Sequence, residues 1–312
     1  MRPLACGLLA LLVFGCTVAT VERGPEISPD ALVTEAPDTP PVASMPGDTM
    51  PGDTATTALE IHFLDVGQGD AVLLRSGGKD ALIDAGPADR IVRMLREIGV
   101  DTLDLLLASH NHADHIGGAD AVLDSMPVRF YLDNGHPAST RIQARVLERV
   151  ERKGITYLRP ERRTITLGNA RLRILPPPDE VEGDEQNNRS VGVIVEIGSF
   201  EALLTGDSET EELSVFLSRD TLPDIEVLKA PHHGSRNGVT PVFLARTRPE
   251  VVVISLGEDN GYGHPHAAAV RYYCAGGRRV FRTDRSGEVV IRVTAEGEYE
   301  VHARNEGAAP AC

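Results

Sequence analysis

Ser109–Gly118 reads SHNHADHIGG and directly follows the apolar run LDLLLA (103–108). Three of the chain's ten histidines and one aspartate fall within six residues of it, 110–115. A short, nearly unbroken apolar run is the pattern of a strand covered on both faces. A loop leaving such a strand is held by a rigid sheet. Imidazole and carboxylate crowded there make either a polar turn or a metal site. The arrangement recurs along the chain. DVGQGD (65–70) follows IHFL, DAG (84–86) follows ALI, and TGD (205–207) follows EALL. PHHGS (231–235) follows IEVLKA, and LGEDNGYGHPH (256–266) follows EVVVIS. Six polar clusters in the same position relative to a strand point to one site assembled at strand ends.

Working outward, LEIHFLD, AVLLRS and DALIDAG read as strands, IVRMLREIG as a helix and DLLLAS as a further strand. Helices are predicted at about 117–125 and 138–154 in the first half. In the second half they are predicted at 208–219, 240–247 and 266–277. Strands dominate the start of each half and alternate with helices later. Two such halves predict an α/β (α+β) chain folded as a four-layer αββα sandwich. A doubly wound dinucleotide fold is the rival, but no GxGxxG follows the first strand.

The HxHxDH core of the opening stretch offers four ligands. His110 and His112 can reach one cation, while Asp114 and His115 reach a second. Two cations about 3.5–4 Å apart need a bridging carboxylate, and Asp207 in LLTGD is the candidate. PHHGS supplies a further imidazole; His232 is the preferred ligand, with His233 behind it or against substrate. No CxxC or other thiolate metal motif occurs, so the donors are those of Zn²⁺, Mn²⁺ or Fe rather than of a thiolate zinc site.

As a set, SHNHADHIGG, LLTGD and APHHGS are similar to the signature of the metallo-β-lactamase superfamily of αββα hydrolases. FLDVGQGDAVLL, LIDAG, NNRSVGVIV, LLTGD, LKAPHHGS and NGYGHP together resemble the periplasm-facing hydrolase domain associated with ComEC, the competence DNA-uptake channel, over 59–292. The sequence departs from that resemblance in two ways. It has no multi-pass hydrophobic segment, so it reads as a stand-alone exported hydrolase rather than a channel. The superfamily's separate middle histidine has no secure match, since His136 is the only histidine between HxHxDH and TGD. In relatives of this kind an NxxS-like stretch stands before TGD. Asn187, Asn188 and Ser190 are therefore expected near the first metal, favouring Mn²⁺ over Zn²⁺.

The resemblance implies two divalent metal ions, Zn or Mn, and hydrolysis by a hydroxide held between them. A phosphodiester is the expected substrate class, either single-stranded DNA or a small phosphodiester. Asp114 is expected to orient the water, and His264 in GYGHP to contact phosphate or protonate the leaving group. Asp65, Gln68, Asp70 and Asp84 read as supporting or turn-forming groups, with Asp84 assigned to fix a ligating histidine. Two other classes stay open: a lactonase or β-lactamase-like amide or ester hydrolase, because fold does not set substrate, and a non-catalytic binding lipoprotein.

The net charge is −15 over 312 residues, and residues 59–312 hold 39 acidic and 29 basic side chains. That argues against broad non-specific affinity for DNA, which needs basic surface. RPERR (159–163) and RRVFRTDR (278–285) read as solvated faces. At the N-terminus, Met1-Arg2 precedes LACGLLALLVFGC, too short an apolar run to span a bilayer. Residues 1–16 read as a signal peptide whose VFGC ending resembles a bacterial lipobox, with Cys16 the lipidated residue. Cleavage near Ala19 or an uncleaved anchor are the alternatives. The expected location is exported, anchored to a membrane on the periplasmic or cell-surface side. Residues 17–58, rich in Pro, Thr and Asp with MPGDT twice in tandem, read as a disordered tether to a hydrolase domain at 59–312. Cys274 and Cys312 are the two cysteines of that domain and can pair in an oxidising compartment. Nothing points to a protein partner.

Overall fold

The computed structural model describes residues 56–137, 140–179, 181, 186–305 and 312. The signal, Cys16 and nearly all of the tether lie outside the described residues.

The first half opens with three antiparallel strands, β1 (Thr57–Phe63), β2 (Val72–Ser76) and β3 (Lys79–Ile83). The first of them starts two residues before the expected boundary at Leu59. Helix α1 (Arg90–Glu97) then crosses to β4 (Leu103–Leu107), which lies parallel to β3. Next come α2 (Ala113–Ile116), α3 (Ala119–Ser125), β5 (Val128–Leu132), α4 (Arg141–Arg152) and β6 (Thr156–Leu158). The helix expected at 117–125 is α3, and the short α2 precedes it, starting inside HxHxDH. Gly117 and Gly118 adopt ordinary right-handed geometry. Their role is close approach: a Cβ on either would lie 2.2 Å from the Pro87 carbonyl oxygen or 2.4 Å from that of Ala85. The loop carrying Asp84 therefore packs directly against the metal-motif turn.

The second half repeats the scheme. Antiparallel β7 (Arg163–Leu167), β8 (Ala170–Leu175), β9 (Gly192–Ile197) and β10 (Phe200–Leu204) come first. Parallel β11 (Val227–Lys229), β12 (Val251–Ile254) and β13 (Arg279–Arg282) follow, separated by α5 (Thr210–Arg219), α6 (Pro241–Thr247) and α7 (Ala267–Cys274). Thr240 caps α6, accepting from the Phe243 N–H at 3.0 Å, with Pro241 at the first helical position. After α8 (Thr283–Ser286), β14 (Val289–Thr294) and β15 (Tyr299–Ala303) return to the first sheet. The orders are β15-β14-β1-β2-β3-β4-β5-β6 and β13-β12-β11-β10-β9-β8-β7.

Three apolar clusters define the layers. Leu105, Leu107, Val193, Val195 and Val253 fill the space between the sheets. Leu82, Leu106 and Tyr131 pack outward against Leu95, Val122 and Val146 of α1, α3 and α4. Leu203, Leu228 and Val252 pack against Phe216, Phe243 and Tyr273 of α5, α6 and α7. The chain is therefore a four-layer αββα sandwich, and the double coverage explains why β4 reads as a nearly unbroken apolar run and β12 as an unbroken one. A disulfide joins Cys274 to Cys312. Among the described residues no helix is long and apolar enough to cross a membrane.

Candidate metal centre

In each sheet the parallel strands end at one edge, and the polar clusters gather there. Asp84 follows β3, Ser109–His115 follow β4, Asp207 follows β10, His232 and His233 follow β11, and His264 lies beyond β12. Ligand atoms of Asp114, His115, Asp207 and His233 all lie within 4.8 Å of one another. Asp207 Oδ2 is 3.3 Å from Nε2 of both His115 and His233, and Asp114 Oδ2 is 3.4 Å from Nε2 of His233. His115, His233 and Asp207 are buried; Asp114 is partly open.

Each of the two imidazoles is backed by a carboxylate. His115 Nδ1 lies 2.7 Å from Asp84 Oδ2, and Asp84 also accepts from the Ser109 N–H and hydroxyl, both at 2.7 Å. His233 Nδ1 lies 2.9 Å from the Ser255 carbonyl oxygen and 3.4 Å from Asp70 Oδ1. With Nδ1 engaged in each ring, Nε2 points at the shared carboxylate. Both Nε2 atoms are buried without a hydrogen-bond partner, as is Asp207 Oδ1. Orphaned buried polar atoms are costly, and two nitrogens with two carboxylates form a donor set that suits a divalent cation. The residues therefore fit a metal.

Electrostatics agree. Burial pushes the His115 and His233 imidazoles down, but the surrounding carboxylates, Asp207 first, outweigh it and hold both well above the usual histidine range. Burial opposes ionisation of Asp207, yet His233 and His115 hold it well below the usual carboxylate range. Asp114 is lowered by the same two imidazoles against the same burial cost. The carboxylates that hold protons on these two imidazoles would equally favour a divalent cation in place of those protons.

His110 and His112 form a separate pair, with Nε2 of the first 3.0 Å from Nδ1 of the second. His110 is buried and stacked obliquely on His115, ring centres 4.1 Å apart. Burial, then the neighbouring His115, pushes its imidazole well below the ordinary range, so the ring is neutral and one of its nitrogens carries a lone pair for a cation.

The order of the histidine pair is the reverse of the sequence expectation. His233, not His232, joins the buried group. Both residues have left-handed backbone, φ 48° and 51°, a conformation side-chain-bearing residues adopt at a cost and typically at functional sites. This backbone turns the second ring inward. His232 lies further out, Nε2 3.8 Å from Asp207 Oδ2 and Nδ1 3.0 Å from Glu209 Oε1. Asn187 Nδ2 approaches the same Nε2 at 3.5 Å. Gly206, at φ 53°, makes the tight turn before Asp207; a Cβ there would strike Ser109 at 2.7 Å.

The remaining expectations fall on both sides. Ser190 is adjacent to the centre, its hydroxyl accepting from the Asp207 N–H at 3.3 Å. Asn188 instead receives the Glu209 and Glu212 N–H groups ahead of and within the first turn of α5. Asp65 shapes its own turn, accepting from the Gly67 N–H at 3.2 Å. His136 is engaged by Arg189, Nδ1 2.7 Å from the guanidinium. His264 stands at the rim, its ring centre 5.4 Å from that of His232 and 6.3 Å from that of His233. Burial and the neighbouring histidines lower it to about 4, which suits a neutral phosphate contact better than a proton donor. Of the basic clusters, Arg162 pairs with Asp220, Arg163 with Glu161 and Arg282 with Asp284.

Sequence reasoning passed over Lys229. It is buried, ion-paired with Asp70, 3.7 Å from Asp207 Oδ1, and donates to the Gly206 carbonyl oxygen at 3.0 Å. Its ammonium binds the Asp207 turn to the carboxylate that backs His233. A lysine inside the buried strand VLK was the available signal, because buried lysines are almost always paired.

The family profile described as the metallo-beta-lactamase superfamily matches residues 64–258. The chain belongs to the metallo-beta-lactamase superfamily. Within it, the chain is similar to ComE operon protein 3 of Bacillus subtilis, 27% identical over 260 residues, covering 75% of this chain and 33% of that protein. Recombination protein 2 of Haemophilus influenzae is 30% identical over 246 residues, 74% of this chain and 28% of its own length. The chain thus spans about a third of the length of these relatives. The solved metallo-beta-lactamase fold protein YhfI of Bacillus subtilis superposes with a TM-score of 0.50 at 12% identity, covering 78% of this chain and 99% of that one. This similarity shows the fold. The superfamily's members are metal-dependent hydrolases, and the His/Asp group stands where the six motif loops meet.

Proposed function

We propose that this protein is a phosphodiesterase that uses two divalent cations and acts on a nucleic-acid strand or a small phosphodiester. The observation that carries the reading is the buried Asp114–His115–Asp207–His233 group, with His110 and His112 beside it and a neutral histidine, His264, at its mouth. Divalent cations bound there supply Lewis acidity, activating water at neutral pH and neutralising charge on a phosphoryl group. Asp114, Asp207, His115 and His233 would hold one of them. His110 and His112 would hold the other, with Asp207 shared.

The chain's own groups supply the rest. Asp84 and the Ser255 carbonyl hold Nδ1 of His115 and His233, so that both rings present Nε2 inward. Lys229 restrains Asp207 through the Gly206 turn. Asp114, the partly open member of the group, is placed to accept a hydrogen bond from an attacking water. His264, uncharged near pH 7, can donate one N–H to a non-bridging oxygen. Export and tethering through Cys16 belong to the same proposal, resting on the N-terminal sequence.

The test is a substrate panel of single-stranded DNA, bis-p-nitrophenyl phosphate, a lactone and a β-lactam, each with added Mn²⁺ or Zn²⁺. A chain carrying both Asp114→Ala and His115→Ala serves as blank. Turnover of both phosphodiesters, absent from the blank, is expected; turnover of the lactone or β-lactam alone overturns the reading.

A further inference from the structure

The loop between β12 and α7 does more than deliver His264. Asn260 pins it from within: its amide donates to the carbonyls of Gly257 and His264 at 2.9 and 2.8 Å and accepts from the His264 N–H at 2.9 Å. From this fixed loop Tyr262 projects, 68% exposed. It is one of four large apolar or aromatic residues exposed among the described ones. A Cβ on either neighbour, Gly261 or Gly263, would meet nothing within 4 Å. The tyrosine ring lies nearly parallel to His264, centres 5.8 Å apart and planes 22° apart. His264 in turn meets His232 edge-on. A ladder of rings therefore runs from the metal centre to solvent and ends in an uncovered aromatic face.

The charge around that face is uneven. Arg236 is exposed in the loop after the histidine pair, and its N–H donates to His266 Nδ1 at 3.0 Å. The ring of His266 lies 4.9 Å from that of His264. Glu258 and Asp259 are exposed at the other end of the Tyr262 loop. A phosphate chain leaving the centre is favoured on the Arg236 side and repelled on the acidic side. Aromatic faces set beside positive charge are how unpaired bases are held without reading sequence.

We propose that Tyr262 stacks the unpaired base next to the scissile phosphate while Arg236 meets the following phosphate, making a single-stranded nucleotide phosphodiester the substrate class. This inference rests on the phosphodiesterase reading and narrows it. Restricting nucleic-acid contact to this short rim also accommodates a folded region with a net charge of −10.

The experiment compares a short single-stranded oligonucleotide with the same strand made abasic at the positions flanking the cleaved bond. KM is read from cleavage and Kd from fluorescence anisotropy with the Asp207→Ala chain. Stacking of one base corresponds to about 5- to 150-fold in affinity. The unaltered ring is expected to prefer the base-bearing strand by a factor in that range. Tyr262→Ala is expected to bring the preference close to one, and Tyr262→Phe to restore it. A preference unchanged in Tyr262→Ala, or no preference in the parent that cleaves both strands, overturns the stacking role and leaves the phosphodiesterase reading standing. Absence of cleavage of either strand and of bis-p-nitrophenyl phosphate by the metal-loaded parent overturns both.

Discussion

The two halves of the candidate centre are built differently. Asp114, His115, Asp207 and His233 come from both sheets, and the two imidazoles are each locked at Nδ1 by groups deeper in the protein. His110 and His112 come from one loop and face each other. His232 and Asn187, outside the buried group, are braced on Glu209 rather than by the core. A donor group fixed by a buried carboxylate loses little entropy on binding a cation, while one held by loop groups must be ordered by it. The contrast predicts one tight and one weak cation site.

Removing the shared carboxylate should break the contrast outright. Asp207→Ala is expected to abolish both sites and hydrolysis, exceeding the roughly 10–100-fold that loss of a supporting partner costs. Metal content by mass spectrometry and initial rates check this. Next in size are the histidines taken singly. His115→Ala or His233→Ala should remove the tight ion, whereas His110→Ala or His112→Ala should leave about one ion per chain with little activity. A His232→Ala chain that loses all metal while His233→Ala keeps it would reverse the assignment.

Lys229→Met leaves Asp70 buried without its cation partner, an imbalance that costs about 3–5 kcal/mol. A lowered denaturation midpoint is expected in metal-free protein, partly recovered when a cation takes over the charge. Asp84→Asn keeps the shape but not the charge behind His115, and about 10–100-fold weaker affinity for the tight ion is expected from chelator competition.

The smallest effect concerns the scaffold beneath Asp207. Glu212 is fully buried, accepting from the Ser208 hydroxyl at 2.7 Å and the Ser190 N–H at 3.2 Å. Burial pushes its carboxyl well above the usual range despite those bonds. Its folded value being raised, its contribution is fully present below the ordinary glutamate value and is lost as pH rises through the raised one. Glu212→Gln does not titrate, so its stability relative to the parent should increase with pH across that window. Thermal melts from acid to neutral pH read the difference, and two parallel curves would contradict it.

Much of this was legible in the chain itself. Apolar runs ending in polar clusters marked the strands and the edge where the site lies, because the side-chain period of a doubly covered strand is a local property. HxHxDH and TGD named their residues for the same reason: the ligands of a loop sit a few positions apart. What the sequence could not supply were facts depending on which way a side chain faces across space. Whether His232 or His233 turns inward rests on two left-handed residues in succession. That Lys229 reaches Asp70 depends on where β11 lies relative to the loop after β1. That Tyr262 stacks on His264 and stays open on its outer side depends on how the loop after β12 folds back over the centre. Composition and periodicity determined the sandwich and the edge that bears the chemistry. The packing of the two sheets decided which imidazoles share a carboxylate, because residues more than a hundred positions apart meet only once both halves are folded.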